Sequence, residues 1–326
     1  MRTSNLRTWL TAICAATLWA GCAGNQPAEA PRAKEPPKPL RLIFITCSAE
    51  ARFFEPVKKG MRDAAEMLGV QAEFTGTQGV DLTAQAEMVR RAVADGCDGI
   101  ALNIIHPTAF DEVVKEAIGA GVPVVAFNCD DHSTPNARLS AVNQRYYEAG
   151  RKLGQHVAPH VPEKAHVLLT LHDAGISSLE DRQRGIQEAL KDKSIVWKVL
   201  VGGNRAEQAA EKIAAALRED PEIRIVLGTG QADTEAAGLA VEKHFAGKDY
   251  WSAGFDLSPN TLRLVKAGTI RCTIDQQPYI QGFFPVVQLT LYLRYGIAPS
   301  SMDAGAAIID RQNVERVTDL TARGYR

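Results

Sequence analysis

Short apolar runs rich in branched side chains alternate with longer amphipathic stretches along most of this chain. Residues 40–46 read Leu-Arg-Leu-Ile-Phe-Ile-Thr, which predicts a buried β-strand. Residues 56–68 carry apolar side chains at helical spacing and stop at Gly69, which predicts a helix with a glycine C-cap. Strands that alternate with helices in this way indicate right-handed β-α-β units and parallel sheets.

The alternation occurs twice along the chain. In the first half we predict further strands at 71–75, 99–103 and 123–127, and helices at 82–94 and 110–120. After residue 143 we predict helices at 147–157, 179–190, 205–217, 234–244 and 259–267, and strands at 166–171, 196–201, 223–227 and 251–255. Two such arrays indicate an α/β fold with two like domains. Helix 279–295 and strand 306–309 are expected to return to the first and the second domain, respectively.

The first 22 residues have the features of an export signal. Arg2 and Arg7 precede an apolar run at 9–19, which ends in Ala20-Gly21-Cys22. Such a run is short for a membrane span and typical of a secretory leader. The terminal cysteine resembles the lipobox of bacterial lipoproteins, which predicts lipidation of Cys22; the alternative is an ordinary secretory signal with an incidental cysteine. The proline-rich residues 23–39 predict an extended tether.

Composition narrows the class of protein. Hydrophobic residues make up 45% and charged residues 23%, with a formal net charge of −1. This balance is ordinary for a globular protein and lacks the basic excess that nucleic-acid binding needs. Beyond Cys14 and Cys22, the remaining cysteines (Cys47, Cys97, Cys129 and Cys272) have no CxxC spacing, so we expect no zinc site. Export permits disulfides, but we favour four buried free thiols.

Polar and aromatic residues follow the predicted strands. Ligands bind beyond the carboxyl ends of strands in open parallel sheets, so these positions are candidates for a site. They include Ser48, Phe53, Phe54, Asn103, His106, Asn128, Asp130, His172, Asp173, Arg182, Gln231, Asp233, Asp256, Gln276 and Gln277. Carboxylates and amides pair with hydroxyl groups, and aromatic rings cover the CH faces of a sugar ring. The set therefore suits a polyhydroxylated ligand.

Each candidate also has a structural interpretation. Phe53 and Phe54 are as well suited to a hydrophobic core, and His106 to a structural role at the surface. Asp233, like Asp111, fits the N-cap of a helix. Residues 227–233 contain a GxG after a strand but lack the full GxGxxG spacing and a P-loop lysine, so nucleotide binding is weakly supported. The candidates contain no evident nucleophile–base pair, and we expect neither catalysis nor a cofactor or metal.

Several motifs resemble the type I periplasmic binding proteins, the family of ribose- and glucose-binding proteins of ABC importers. They are Phe53-Phe54, Asp98-Gly-Ile-Ala, Gly121-Val-Pro-Val-Val-Ala-Phe-Asn, Asp181-Arg-Gln-Arg-Gly, Ala253-Gly-Phe-Asp256 and Thr273-Ile-Asp-Gln-Gln-Pro-Tyr. The resemblance implies two Rossmann-like lobes joined by a three-crossover hinge, with ligand trapped between them. The implied lobes are residues 40–143 plus 276–304 and residues 144–275 plus 305–326.

The resemblance also implies roles for individual residues. Phe53 and Phe54 match the aromatics that sandwich a sugar, and Arg182 the arginine that grips its hydroxyls. The other implied or candidate ligand-binding residues are His106, Asn128, Asp130, Gln231, Asp233, Asp256 and Gln276. The expected function is capture of a sugar-like solute for ABC permease subunits by a monomer that is lipid-anchored in the periplasm or cell envelope. The alternative is presentation of the solute to a membrane sensor kinase or chemoreceptor.

Overall fold

The computed structural model describes residues 38–130 and 136–326. The predicted leader, Cys22 and residues 23–37 of the predicted tether lie outside the described residues. Residues 39–326 form one compact unit, which contains two α/β lobes.

The first lobe is built on a six-stranded parallel sheet with the order β2-β1-β3-β4-β5-β11. Its strands are β1 (Arg41–Thr46), β2 (Gln71–Gly76), β3 (Gly99–Leu102), β4 (Val124–Asn128), β5 (Ser140–Asn143) and β11 (Met302–Asp303). The second lobe has the order β7-β6-β8-β9-β10-β12, and only β12 runs antiparallel within this sheet. Its strands are β6 (His166–Leu171), β7 (Val196–Val201), β8 (Ile223–Gly228), β9 (Trp251–Phe255), β10 (Ile270–Asp275) and β12 (Ala307–Asp310). The repeated order confirms the prediction of two like α/β arrays.

Ten α-helices are assigned within the described residues. They are α1 (Phe54–Leu68), α2 (Leu82–Ala94), α3 (Asp111–Gly119), α4 (Tyr146–Val157), α5 (Ser177–Ala189), α6 (Ala206–Glu219), α7 (Gln231–His244), α8 (Pro259–Ala267), α9 (Pro278–Tyr295) and α10 (Glu315–Ala322). The predicted bounds of α2 and α8, and of strands β6, β7 and β9, coincide with these. The sequence interpretation gave no bounds for β5, β10, β11 and α10; of these, β5 and β11 are only four and two residues long.

The capping residues predicted from the sequence are found at some helix ends and not at others. Gly69 ends α1 in the left-handed conformation, as predicted. Asp81 begins α2, and its side chain accepts a hydrogen bond from the Ala84 backbone amide at 2.9 Å. The suggested capping roles of Asp111 and Asp233 are wrong: the N-cap residues of α3 and α7 are Phe110 and Gly230.

Each sheet is buried on both faces. Leu42 and Phe44 of β1 pack into one hydrophobic cluster, and Ile45 packs into another. Because successive side chains of a strand point to opposite faces, these clusters lie on the two sides of the sheet. A strand that is covered on both faces needs a continuous apolar run, which explains the pattern at residues 40–46.

The chain passes between the lobes three times. The connections are residues 144–145 between β5 and α4, residues 276–277 between β10 and α9, and residues 304–306 between β11 and β12. Gln144 Nε2 donates to the Gly305 carbonyl at 2.7 Å, and Gln277 Nε2 donates to the Ala304 carbonyl at 2.8 Å. Side chains of two connections therefore tie the third in place.

Candidate functional site

A cleft of about 600 Å³ lies where the carboxyl ends of strands from both sheets meet. The first lobe contributes Ser48, Phe53, Phe54, Asn103 and Asn128, among others, and the second lobe contributes Tyr146, His172, Ser178, Arg182, Gln231, Glu235 and Asp256. Gln276 reaches the cleft from a connection. The residues that follow the strands of each sheet thus line one cleft, as the position of ligands in parallel sheets leads us to expect.

Arg182 is the central cation of the second lobe. It is 2% exposed, and Nε and Nη2 both donate to Gln144 Oε1, at 3.1 and 2.8 Å. Nη1 donates to the Thr229 carbonyl at 2.8 Å. Its guanidinium carbon lies 4.3 Å from the centre of the Phe255 ring, a cation–π distance. Three of the five N–H groups are thereby committed to protein atoms, so Arg182 is a fixed part of the cleft wall.

Asp256 joins Arg182 to the hinge. Its Oδ2 lies 3.7 Å from Arg182 Nη1, and its Oδ1 accepts from Gln276 Nε2 at 2.6 Å. Burial raises the pKa of Asp256, while Arg182 and the Gln276 amide oppose that rise. The carboxylate is therefore held by two partners inside the cleft wall.

His172 and Asp233 form a second pair at the end of β6. The two side chains approach to 3.3 Å, and Asp233 is almost fully buried while His172 lines the cleft. Burial opposes the charged form of His172, but the Asp233 carboxylate outweighs that cost, and the pKa of His172 is raised. The Asp233 carboxylate therefore favours the protonated form of His172 at the wall of the cleft.

Glu235 is a cleft residue that the sequence interpretation missed. Its carboxylate accepts hydrogen bonds from Ser258 Oγ at 2.6 Å and from Asn260 Nδ2 at 2.9 Å. It lies one helical turn beyond Gln231, so the i, i+4 spacing on α7 was the available signal. Asn103 and His172 were noted as strand-end residues but left out of the predicted ligand set, and Tyr146 and Ser178 were not noted.

Phe53 and Phe54 of the first lobe pack against other aromatic rings and also line the cleft. Phe54 is buried, and its ring centre lies 5.5 Å from that of Phe74 and 6.4 Å from that of Phe127. Phe53 packs against Phe54 with the ring edge toward the face, at 5.2 Å. Both residues line the cleft. The proposed contact with a sugar ring stays a prediction.

Three predicted ligand residues do not line this cleft. His106 Nδ1 accepts from the backbone amides of Thr108 and Ala109, so the ring supports the turn before α3. Asp130 is buried in an ion pair with Arg138. Asp233 faces His172, through which it reaches the cleft. In each case the side chain is hydrogen-bonded to, or paired with, another group of the protein. A position at the end of a strand does not reveal such a partner.

Residues with left-handed backbone cluster at the cleft. Ser48, Asn128 and Asp256 have φ values of 51°, 56° and 71°, and each lies at the end of a strand or within two residues after it. Such conformations cost about 1–3 kcal/mol for a residue with a side chain and persist where surrounding contacts enforce them. Their concentration here is an independent indication of a functional site.

The lobes touch beside the cleft. The Ser177 backbone amide donates to the Ile105 carbonyl at 2.9 Å, and the Cys129 thiol lies 3.1 Å from Ser178 Oγ. Leu171, Ile176 and Leu179 of the second lobe join a hydrophobic cluster of the first. Cys129 is one of four buried free thiols, in agreement with the sequence interpretation.

Comparison with known proteins identifies the family. The model of the periplasmic binding protein domain matches residues 42–296. The chain is a periplasmic binding protein. The resemblance seen in the sequence is thereby confirmed, and so is the fold of two α/β lobes. In the part of the chain that the structure describes, helices long and apolar enough to cross a membrane are absent.

Known relatives of this periplasmic binding protein are named for sugars. The xylose/arabinose-binding protein XylF of Sulfolobus acidocaldarius is 28% identical over 292 residues, which cover 84% of this chain and 72% of the relative. The D-ribose/D-allose-binding protein of Pseudomonas aeruginosa is 23% identical over 88% of this chain and 92% of its own length. A carbohydrate transporter of Acidothermus cellulolyticus, solved with myo-inositol, is 29% identical with a TM-score of 0.79, over 89% of this chain and 100% of that one.

Proposed function

We propose that this periplasmic binding protein captures an uncharged sugar or cyclitol between its lobes and delivers it to an ABC importer. The observation that carries the proposal is the charge balance of the cleft. Two basic side chains of the second lobe, Arg182 and His172, each have a carboxylate partner, Asp256 and Asp233. Arg52 and Arg205 also line the cleft, but both are exposed to solvent. Glu235 adds a carboxylate that accepts hydrogen bonds from two neutral groups, Ser258 Oγ and Asn260 Nδ2.

An acidic ligand would be disfavoured in such a cleft. Its charge would be desolvated without an unpaired buried cation to receive it, a cost that the existing pairs do not offset. Hydroxyl groups both donate and accept, so they match the carboxylates, amides and hydroxyls that line both sides. The relatives named for xylose, arabinose and ribose, and the neighbour solved with myo-inositol, support this ligand class.

A thermal-unfolding screen tests the ligand class. The panel is D-xylose, L-arabinose, D-ribose and myo-inositol, with D-gluconate as an acidic counterpart. A ligand at 100 times its dissociation constant stabilises the folded state by about 2.7 kcal/mol, which is a clear shift in melting temperature. We expect a shift from at least one neutral compound and none from gluconate. A shift from gluconate alone, or from none of the panel at millimolar concentration, would contradict the proposal.

The predicted lipid anchor is part of the proposed function. Lipidated Cys22 would hold the protein at a membrane of the periplasm, and the tether would let a monomeric binding unit reach the permease. Cys22→Ala should move the protein from the membrane to the soluble periplasmic fraction. Cys14→Ala, in the predicted leader, is the matched control and should leave it on the membrane. A wild-type protein that is already soluble would exclude the anchor.

We propose binding without catalysis. Desolvation by burial raises the pKa of Cys47 to about 12 and that of Cys129 to about 11, so both cleft thiols stay protonated at neutral pH. A protonated thiol is a poor nucleophile. Incubation of the protein with the stabilising sugar, followed by chromatography, should return the sugar unchanged; a new product would contradict this part of the proposal.

A further inference from the structure

A series of amide side chains runs from the hinge into the first lobe. We call Gln276, Gln281, Asn128 and Asn103 the amide relay. Gln281 and Asn103 are 0% exposed, Gln276 is 2% and Asn128 is 8%. Gln281, on α9, does not line the cleft, whereas the other three do.

The hinge end of the relay fixes which atoms donate. Gln281 Nε2 lies 2.7 Å from the backbone carbonyl oxygen of Gln276, which accepts hydrogen bonds and never donates. Asp256 accepts from Gln276 Nε2, so Gln276 Oε1 faces the other way and receives Gln281 Nε2 at 3.1 Å. A carbonyl and a carboxylate therefore orient Gln281, with its Oε1 directed to the first lobe.

The orientation then propagates from one amide to the next. Gln281 Oε1 accepts from Asn128 Nδ2 at 3.0 Å, which leaves Asn128 Oδ1 to accept from Asn103 Nδ2 at 2.8 Å. Asn103 Oδ1 is consequently left over. It is buried, and among the residues that the structure describes it has no hydrogen-bond partner. A buried acceptor without a partner is costly, and the residue lines the cleft, where a ligand can supply the missing proton.

We propose that Gln281 is a positioning residue that makes Asn103 Oδ1 an obligatory hydrogen-bond acceptor of the cleft, so that the bound solute donates a hydroxyl proton there. The inference rests on the proposed function for the identity of the solute as a polyol. It adds that one hydroxyl is selected as a donor. If fluorine, which accepts but cannot donate a hydrogen bond, replaces that hydroxyl, two acceptors face each other: the fluorine and Asn103 Oδ1.

The orientation of the relay is tested first without any ligand. A neutron crystal structure of the perdeuterated wild-type protein shows which atom of each amide carries deuterium. We expect deuterium on Asn103 Nδ2 toward Asn128, on Asn128 Nδ2 toward Gln281, and on Gln281 Nε2 toward the Gln276 carbonyl. Deuterium on the Asn103 side-chain atom that has no hydrogen-bond partner in the described part of the chain, which is Oδ1 in this relay, would overturn the proposal, whatever the protein binds.

Discrimination between analogues tests the role of the relay in binding. The parent ligand is the panel compound that stabilises the protein most, and its analogues replace one hydroxyl at a time with fluorine. For wild type we expect one position at which fluorine weakens binding by about tenfold or more in calorimetry, because Asn103 Oδ1 loses its donor. Wild-type affinities that are equal for the parent and every fluorinated analogue would overturn the proposal.

Gln281→Met keeps the size of the side chain and removes the constraint on Asn128. Both Asn128 and Asn103 are then free to turn over, and Asn103 can present Nδ2 to fluorine. We expect the affinity ratio of parent to analogue at that position to fall to about a third of the wild-type ratio or less. A purely structural role for Gln281 would weaken both ligands equally and leave the ratio unchanged, which would also overturn the proposal.

Gln288→Met is the matched control on the same helix. Gln288 also accepts from a side chain of the first sheet, Ser140 Oγ at 2.6 Å, and donates to a backbone carbonyl, that of Ser300 at 2.8 Å. It lies outside the cleft lining, so the wild-type ratio should persist. If no panel compound binds wild type, the proposed function fails, and the neutron result still decides the orientation of the relay.

Discussion

Arg182 Nη1 lies 3.7 Å from Asp256 Oδ2 in the wall of the cleft between the lobes. Both side chains are about 95% buried or more. Arg182 also binds Gln144 and the Thr229 carbonyl, so it connects the first hinge connection to the second sheet. The residue that the family resemblance assigns to the ligand is therefore also a structural residue. Its loss should affect the stability of the protein as well as its affinity.

Arg182→Met should lower the free energy of unfolding by about 3–5 kcal/mol, because Asp256 is left as an unpaired buried charge. Urea denaturation measures this change. Arg182→Met combined with Asp256→Asn should lose less than the sum of the single variants. Arg263→Met is the control, since its pair with Glu242 is exposed and contributes about 0–1 kcal/mol. Equal losses in Arg182→Met and Arg263→Met would show that the buried pair has no special role.

The His172–Asp233 pair should make stability depend on pH. The raised pKa of His172 means that its contribution is complete below the unfolded pKa of about 6.5 and is lost as pH rises through the folded value. The stability of wild type relative to Asp233→Asn should therefore decrease as the pH rises above about 6.5. NMR titration should give His172 a lower pKa in Asp233→Asn than in wild type. An unchanged pKa would remove the carboxylate as its cause.

Gly282 permits the close contact of α9 with α1. A Cβ atom at this position would overlap the Val57 carbonyl oxygen and approach the Met61 amide. Gly282→Ala should therefore destabilise the protein by about 1–3 kcal/mol or more in urea denaturation. Gly119→Ala is the control, because Gly119 ends α3 and has no heavy atom within 4 Å of the added carbon. It should be neutral or stabilising by about 0.4–1 kcal/mol. The reverse order of stability would contradict the packing at α1 and α9.

Ligand should favour a closed arrangement of the lobes. Cleft residues come from both lobes, so only an arrangement that keeps contacts such as Ser177 with Ile105 encloses the solute. Small-angle scattering should give a smaller radius of gyration when the stabilising sugar saturates the protein, and no change with gluconate. An unchanged radius, with binding verified in the same sample, would indicate a rigid cleft.

The sequence by itself determined the two α/β arrays and much of the cleft. Buried parallel strands need continuous apolar runs and their helices need a periodic apolar face, so both patterns are local and legible. The rule for strand ends then selected Asn128 in the first lobe, and Asp256 and Gln276 in the second, because parallel strands of one sheet share an edge. The family resemblance predicted that the two lobes face one cleft. Arg182 was selected from the helix that follows a strand, and the family resemblance supported it.

Only the tertiary structure decided how individual side chains are used. Asp233 faces His172 and Asp130 faces Arg138, although both acidic residues follow strands as the cleft residues do. Gln281 was absent from the sequence interpretation because nothing in its helix distinguishes it from Gln288. The physical reason for these differences is that a hydrogen bond forms only when donor and acceptor are close and point toward each other, which depends on the position of both residues in the fold. Gln281 and Asn128 are 153 residues apart in the chain, so the sequence around either residue does not indicate their hydrogen bond.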